Sequence, residues 1–297
     1  MQTPSLGSGC HRLAKGELQS RFSPSPQTAN LRVIMAASRI VFLMYHELEL
    51  SGRKFCQSEP GYVRYILSLD TFRSQMDWMK KSGFRGLNVT EALRYPAEPG
   101  VCITFDDGCE TDLVAAAPLL REFGFNATFY LTAGFLGTPG YLTANQVREL
   151  DSQGFEIGCH SMTHPYLSDL PEPALKREIV DAKLQIEQIV GHPIDHFSCP
   201  GGRFDRRTLE LARLAGFRTV ANSLVHANSS RTSPYDLGRV AMLREMTLAE
   251  FASTCRGQGL WNKRLQHCTR RSLQRLLGNR LYDRLRKALL KESGITA

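Results

Sequence analysis

The chain has 297 residues, enough to bury one large α/β core or two smaller ones, and its 42% hydrophobic and 22% charged residues are those of an ordinary globular protein. The formal net charge is +8, yet residues 256–297 hold 11 Lys and Arg against 2 Asp and Glu, leaving 26 against 27 in everything before them. Positive charge is therefore a property of the tail, and the main body is close to neutral. No apolar run reaches transmembrane length. The eight cysteines include no CxxC pair and no compact spacing, which argues against a disulfide framework and for free thiols in a reducing compartment.

Residues 1–38 are rich in Ser, Pro, Gln and Gly and read as a disordered or non-native extension, with Met35 as an alternative start. They contain no apolar stretch of signal-peptide length, and a cytoplasmic protein is the expectation. The first sustained apolar run, Ile40–Tyr45, is predicted to be a strand and ends in Tyr45-His46-Glu47. At the C-terminal end of a barrel strand a histidine falls on the face where sites are built; the bland alternative is a half-buried surface histidine. Residues 52–69 read as a loop whose Tyr62, Arg64 and Tyr65 shape a groove. Asp70 is expected to cap a helix with Phe72, Met76 and Met79 on its apolar face, ending at Gly83.

A second buried strand, Val101-Cys102-Ile103, runs straight into Thr104-Phe105-Asp106-Asp107-Gly108. Two adjacent carboxylates at the end of a buried strand are costly to desolvate unless a cation or hydrogen-bond donors meet them. Neighbouring strand residues point to opposite faces, and Gly108 is expected to bend the chain so that both acids turn toward one pocket. Residues 112–123 read as a helix with Pro118 as a kink, and Thr143-Ala-Asn-Gln146 as a capping box. Then comes His160-Ser161-Met162-Thr163-His164, two imidazoles that share a face if the segment is helical. One carboxylate and two histidines make a three-ligand metal site with open positions for water. Cys102, Cys109, Cys159 and Cys199 lie in or beside these motifs and are read as small buried hydrophobes rather than ligands.

Gly83-Phe84, Gly124-Phe125, Gly154-Phe155 and Gly216-Phe217 each follow a helical stretch and precede a strand-like run: Leu87–Val89, Ala127–Leu131, Phe155–Gly158 and Arg218–Ala221. Glycine supplies the left-handed turn that stops a helix, and the phenylalanine packs back on it. Repeated βα alternation predicts a parallel sheet closed by right-handed crossovers. The helix Pro173–Val190, stopped by Gly191, carries charges assigned to its solvated face.

Thr-Phe-Asp-Asp-Gly followed about fifty residues later by His-Ser-x-x-His resembles the polysaccharide deacetylase (NodB-homology) family of carbohydrate esterases, over roughly Arg39 to Met242. The resemblance implies an incomplete, about seven-stranded parallel β/α barrel over residues 39–254. It implies a divalent metal, zinc first and cobalt, nickel or manganese as substitutes, held by Asp107, His160 and His164. Asp106 would be the general base. His46 would be the general acid, by likeness to a branch that carries this histidine near the N-terminus. The third family motif, commonly Arg-x-Pro-Tyr-Gly, aligns with Ser198-Cys199-Pro200-Gly201-Gly202, so its arginine and tyrosine are replaced by Ser198 and Gly201. Arg203 or Arg239 is expected to substitute for that arginine, with Pro200, Gly201 and Arg203 toward substrate and the Gly201 N–H toward the oxyanion. The family's tryptophan motif has no counterpart after Phe217. A late Leu-x-His is missing too, with His226 as a remote candidate.

Residues 255–297 form a basic tail in which Leu273, Leu277, Leu281, Leu285 and Leu289 recur among arginines, as in an amphipathic helix. Three partners suit residues 256–290: the barrel itself, an anionic membrane surface at the inner face, or a protein. The charge alone would also suit nucleic acid, but no reading motif accompanies it, so that partner is not expected. The implied reaction is deacetylation of N-acetylated sugars in a polysaccharide or its lipid-linked precursor, in exopolysaccharide or envelope synthesis. Its rivals are a metal amidase on a cyclic, non-sugar amide and a non-catalytic glycan-binding scaffold.

Overall fold

The computed structural model describes residues 39–95 and 98–265. The expectations for residues 1–38 and for the leucine series of the tail fall outside the described residues. Ten strands are seen: β1 (Val41–Tyr45), β2 (Leu48–Glu49), β3 (Leu67–Ser68), β4 (Arg85–Leu87), β5 (Gly100–Asp107), β6 (Thr128–Leu131), β7 (Glu156–Cys159), β8 (His196–Ser198), β9 (Thr219–Ala221) and β10 (Val240–Ala241). The main sheet runs β10-β1-β5-β6-β7-β8-β9, seven strands in parallel register, with β4 paired to the first half of β5. Among the described residues no ladder joins β9 to β10, so the barrel is open, as expected.

Alternation sorts the side chains of this sheet. Val41, Leu43 and Tyr45 of β1, Val101, Ile103 and Phe105 of β5, and Phe129 and Leu131 of β6 belong to the large core beneath the helices. Tyr45, Phe105 and Phe129 stack in series, with ring centroids 5.2 Å apart at each step. The opposite residues, Phe42, Cys102 and Tyr130, form a smaller cluster with Ile40, Ala221 and Leu237. That face also carries Thr104 and Asp106, the next two same-face positions of β5 after Cys102, so polar groups follow its apolar floor.

The four Gly-Phe pairs close their helices as the sequence predicts. Each glycine has a φ between 69° and 85°. In each pair the phenylalanine N–H donates to the carbonyl five residues back (Met79, Leu120, Leu150, Ala212) and the glycine N–H to the one three back. These are Schellman caps. The strands that follow start one residue later than predicted for β6, β7 and β9, whereas β4 lies two residues earlier than Leu87–Val89. Ser68, not Asp70, caps the helix Leu69–Lys81, its hydroxyl accepting from Thr71 N–H. Phe72, Met76 and Met79 are buried as expected. Thr143 and Gln146 form the predicted capping box. Pro118 follows a π-helical turn, Asp112–Ala116, that leads into the α-helical Ala117–Phe123.

Beyond β10 the helix Leu248–Cys255 returns to the barrel, with Phe251 edge-on to Trp78 at 5.7 Å, and Leu260 still belongs to the large core. No helix among the described residues is long and apolar enough to cross a membrane.

Candidate active site

The functional side chains gather at the C-terminal ends of the strands. β5 delivers Asp106 and Asp107, β7 leads into His160, and β8 ends in Ser198. His160 Nε2 lies 3.7 Å from Asp106 Oδ2 and 3.6 Å from Asp107 Oδ1, and His164 Nε2 lies 3.4 Å from Asp107 Oδ1. Both acids thus turn toward one place despite being neighbours on an extended strand. The bend begins at Asp107 itself, whose φ is 82°, one residue before the expected Gly108. A non-glycine residue held in the left-handed region is strained, and such strain collects at functional sites.

His160 and His164 do not lie on a helix. They stand on a loop after β7, shaped by φ values of 72° at Ser161 and 61° at His164. The side chain of Ser161 accepts from His164 N–H at 3.0 Å, closing the turn that brings the second imidazole back beside the first. Glu178, assigned to a solvated helix face, is instead buried and holds this loop. Its Oε2 accepts from Met162 N–H (2.9 Å) and Thr163 N–H (2.8 Å), and its Oε1 from the Thr163 hydroxyl (2.6 Å). The helix segment bearing it, Arg177–Asp181, is a π-helical turn, a device common near functional sites. Its position among the buried Leu175, Ile179, Ala182 and Ile186 is the signal the sequence offered: an acid on an apolar stripe. Glu178→Ala is expected to lower metal affinity about 10–100-fold, as losses behind a ligand do; chelator competition against the parent protein measures it.

Asp107, His160 and His164 offer one oxygen and two nitrogens within 4.8 Å of one another. The donors fit a divalent ion. Asp107 Oδ1 is buried with no hydrogen-bond partner among the described residues, and His160 Nδ1 donates to the Ser198 carbonyl at 2.9 Å, which leaves Nε2 bare and aimed at the acids. Burial pushes the His160 pKa down to about 4, with Asp106 pulling the other way, so the ring is a neutral ligand at pH 7. Ligand bonds of about 2.0–2.2 Å to Zn²⁺ place ligand atoms roughly as far apart as the measured 3.4 and 3.6 Å.

Of the two arginines expected to stand in for the third-motif residue, Arg239 is the one that reaches Asp106. It is wholly buried and grips Asp106 through two parallel bonds, Nη1 to Oδ1 at 2.7 Å and Nη2 to Oδ2 at 2.8 Å. Nη1 also donates to Thr104 Oγ1, Nη2 to Ser198 Oγ at 2.6 Å, and Nε to the Asn222 carbonyl. All five guanidinium N–H groups are thereby used, and the head lies 5.3 Å from the Tyr130 ring centre. Gly158 makes room for that ring, since a Cβ there would meet it at 2.5 Å. Burial works against the Asp106 charge, but Arg239 and then His160 outweigh it and hold the carboxyl well below the usual carboxylate range.

Arg203 does not take this part; its guanidinium carbon lies over Tyr166, 3.6 Å from the ring centre. Pro200–Gly202 forms a tight turn after Ser198, with Gly201 at φ 59° and Tyr166 against its α-carbon, where a side chain would collide. His46 follows β1, tilted against Tyr65 at 4.9 Å, and its buried Nδ1 has no hydrogen-bond partner among the described residues. Burial lowers its pKa, against the pull of Asp107 and Asp106. His226 hydrogen-bonds the neighbouring Ala227 carbonyl and packs beside Gly238, with no tie to these ligands in any contact described.

Fold and site together define a class: an open parallel β/α barrel with a carboxylate and two imidazoles converging at its strand ends, and an arginine-clamped acid beside them. Residues 94–220 match the family model for polysaccharide deacetylase. YxkH of Bacillus subtilis, a protein named for the same family, is 28% identical over 222 residues, which cover 73% of this chain and 76% of that one. A peptidoglycan-N-acetylglucosamine deacetylase of Bacillus cereus is 34% identical over 121 residues, 40% of this chain and 54% of the relative. In fold the chain is similar to the Streptococcus pyogenes deacetylase PplD, solved with acetate, with a TM-score of 0.67, 24% identity, and coverage of 74% of this chain and 99% of that one.

Proposed function

We propose that the protein removes acetyl groups from N-acetylated sugars in a polysaccharide or its lipid-linked precursor, releasing acetate and a free amine. The observation that carries the reading is the Asp107, His160 and His164 cluster with the Arg239-bound Asp106 at its side. A divalent cation held there, zinc on this donor set with cobalt, nickel or manganese as substitutes, supplies Lewis acidity toward the acetamide carbonyl and lowers the proton affinity of water.

The chain's own groups do the rest. Asp106, ionised and fixed by Arg239, accepts the proton of the attacking water. The Pro200-Gly201 turn brings a backbone N–H to the carbonyl oxygen as charge develops there, and Arg203 on Tyr166 borders the sugar. His46 delivers a proton to the departing nitrogen. Burial favours the neutral His46 ring, and the proton that Asp106 takes from water is the one passed on to it, so the water's proton ends on the departing amine. Residues 39–254 serve as the catalytic unit, and residues 255–297 as a basic accessory segment for a membrane surface or protein partner rather than nucleic acid. The six described cysteines are free thiols, which fits a cytoplasmic, reducing setting.

Acetate release from an N-acetylglucosamine oligomer is expected from the purified chain, to fall to background with chelator and to return with added zinc. A chain that hydrolyses a small cyclic amide but not the oligomer would instead be an amidase. One that binds the oligomer without releasing acetate, at full metal content, would be a scaffold. Either result overturns the proposal.

A further inference from the structure

A second set of metal-type donors lies apart from the cluster described above. Glu47 follows His46, Cys109 stands beyond Gly108 at the end of β5, and Cys56 comes from the loop between β2 and β3. Their donor atoms all lie within 4.8 Å of one another. Cys56 Sγ is 3.5 Å from Cys109 Sγ and 3.1 Å from the Gly140 carbonyl. Both Glu47 oxygens accept from Cys56 N–H, at 3.1 and 3.0 Å, and the Tyr62 hydroxyl is 3.3 Å from Cys109 Sγ. Glu47 is 1% and Cys109 0% exposed, so the cluster is an interior feature.

Asp112 supplies an independent observation. It is 0% exposed, and neither carboxylate oxygen has a hydrogen-bond partner among the described residues. Burial pushes its pKa well up, and Asp107, Cys56, Glu47 and Asp106 push the same way. A carboxylate buried among other acids and thiols, with no donor to meet it, is a costly arrangement that a cation relieves.

We infer that Glu47, Cys56 and Cys109 form a second cation site for a thiophilic divalent ion of the Zn²⁺ type. Two thiolates bound at about 2.3 Å in a tetrahedral ion sit roughly 3.8 Å apart, close to the 3.5 Å seen between the sulfurs. Sulfur ligands select zinc over magnesium or calcium, and the two thiol protons leave as the ion binds. Occupation pins the loop carrying Tyr62 and Tyr65 to the end of β5. Those two rings flank His46 at 6.5 and 4.9 Å, so the second ion shapes the wall on which His46 rests.

The two sites differ in donor chemistry, and this separates their tests. Asp107, His160 and His164 hold no sulfur, so a thiolate-to-cobalt charge-transfer band in the near ultraviolet reports the second site alone. Titrating the metal-free, reduced full chain with Co²⁺ is expected to give two ions per chain and that band. Cys56→Ser, at a half-buried loop position, and Cys109→Ser are each expected to abolish the band and leave one ion. His160→Ala is expected to keep the band while losing the other ion, whatever becomes of deacetylase activity. Absence of the band in the reduced parent protein overturns the inference, as does its persistence in Cys56→Ser. A single ion per chain that is lost in His160→Ala overturns it as well, and would leave the two cysteines as a simple thiol pair.

Discussion

Asp106→Asn is expected to reduce acetate release by about 10²–10⁴-fold, the range set by loss of a positioned acid-base group, with metal content unchanged. The amide keeps an acceptor for Arg239 but has no lone pair basic enough to take a proton from water. Arg239 retains its bonds to Thr104, Ser198 and Asn222, so the guanidinium stays in place. Metal analysis and a thermal melt belong beside the rate measurement. Lost activity with bound metal and an intact melt supports the base; wild-type turnover would remove Asp106 from that part.

Arg239→Met is expected to cost about 3–5 kcal/mol of stability, because a buried carboxylate loses its counter-charge. The pH dependence then changes sign. In the parent protein the Asp106 carboxyl is held below its unfolded value of about 3.9, so it contributes stability that is present above that pH and lost as pH falls toward the folded value. Without Arg239, burial is the first influence left and raises the folded pKa, so stability falls as pH rises through it. Urea midpoints at mildly acidic and neutral pH measure this directly. Adding Asp106→Asn to Arg239→Met is expected to recover part of the loss, since the two residues act as one unit. A variant as stable as the parent at neutral pH would show that the pair contributes little.

Much of the site was legible because its chemistry is local. Two carboxylates ending an apolar strand, and two histidines four apart, are odd choices for a buried segment whatever surrounds them. The Gly-Phe pairs were legible for the same reason: a left-handed glycine and the phenylalanine after it act on their own helix. Errors arose where a local pattern admits two geometries. The spacing of His160 and His164 fits a helix, but positive φ at Ser161 and His164 achieves the same convergence on a loop. Helical charges usually face solvent, which is what the sequence predicts for Glu178, whereas the N–H groups of the histidine loop draw it inward.

The sequence alone determined the order of βα units, the helix caps, and which oxygen and nitrogen donors were available for a cation. Only the tertiary structure decided the partners. Asp106 and Arg239 are 133 residues apart, and no periodicity links them; sheet closure around β1 brings β10 and its arginine to β5. The same closure chose Arg239 over Arg203, and the loop between β2 and β3, held by Glu47, set Cys56 against Cys109. Local propensity acts over a few residues, while charge pairing in a dry interior depends on which strands lie side by side.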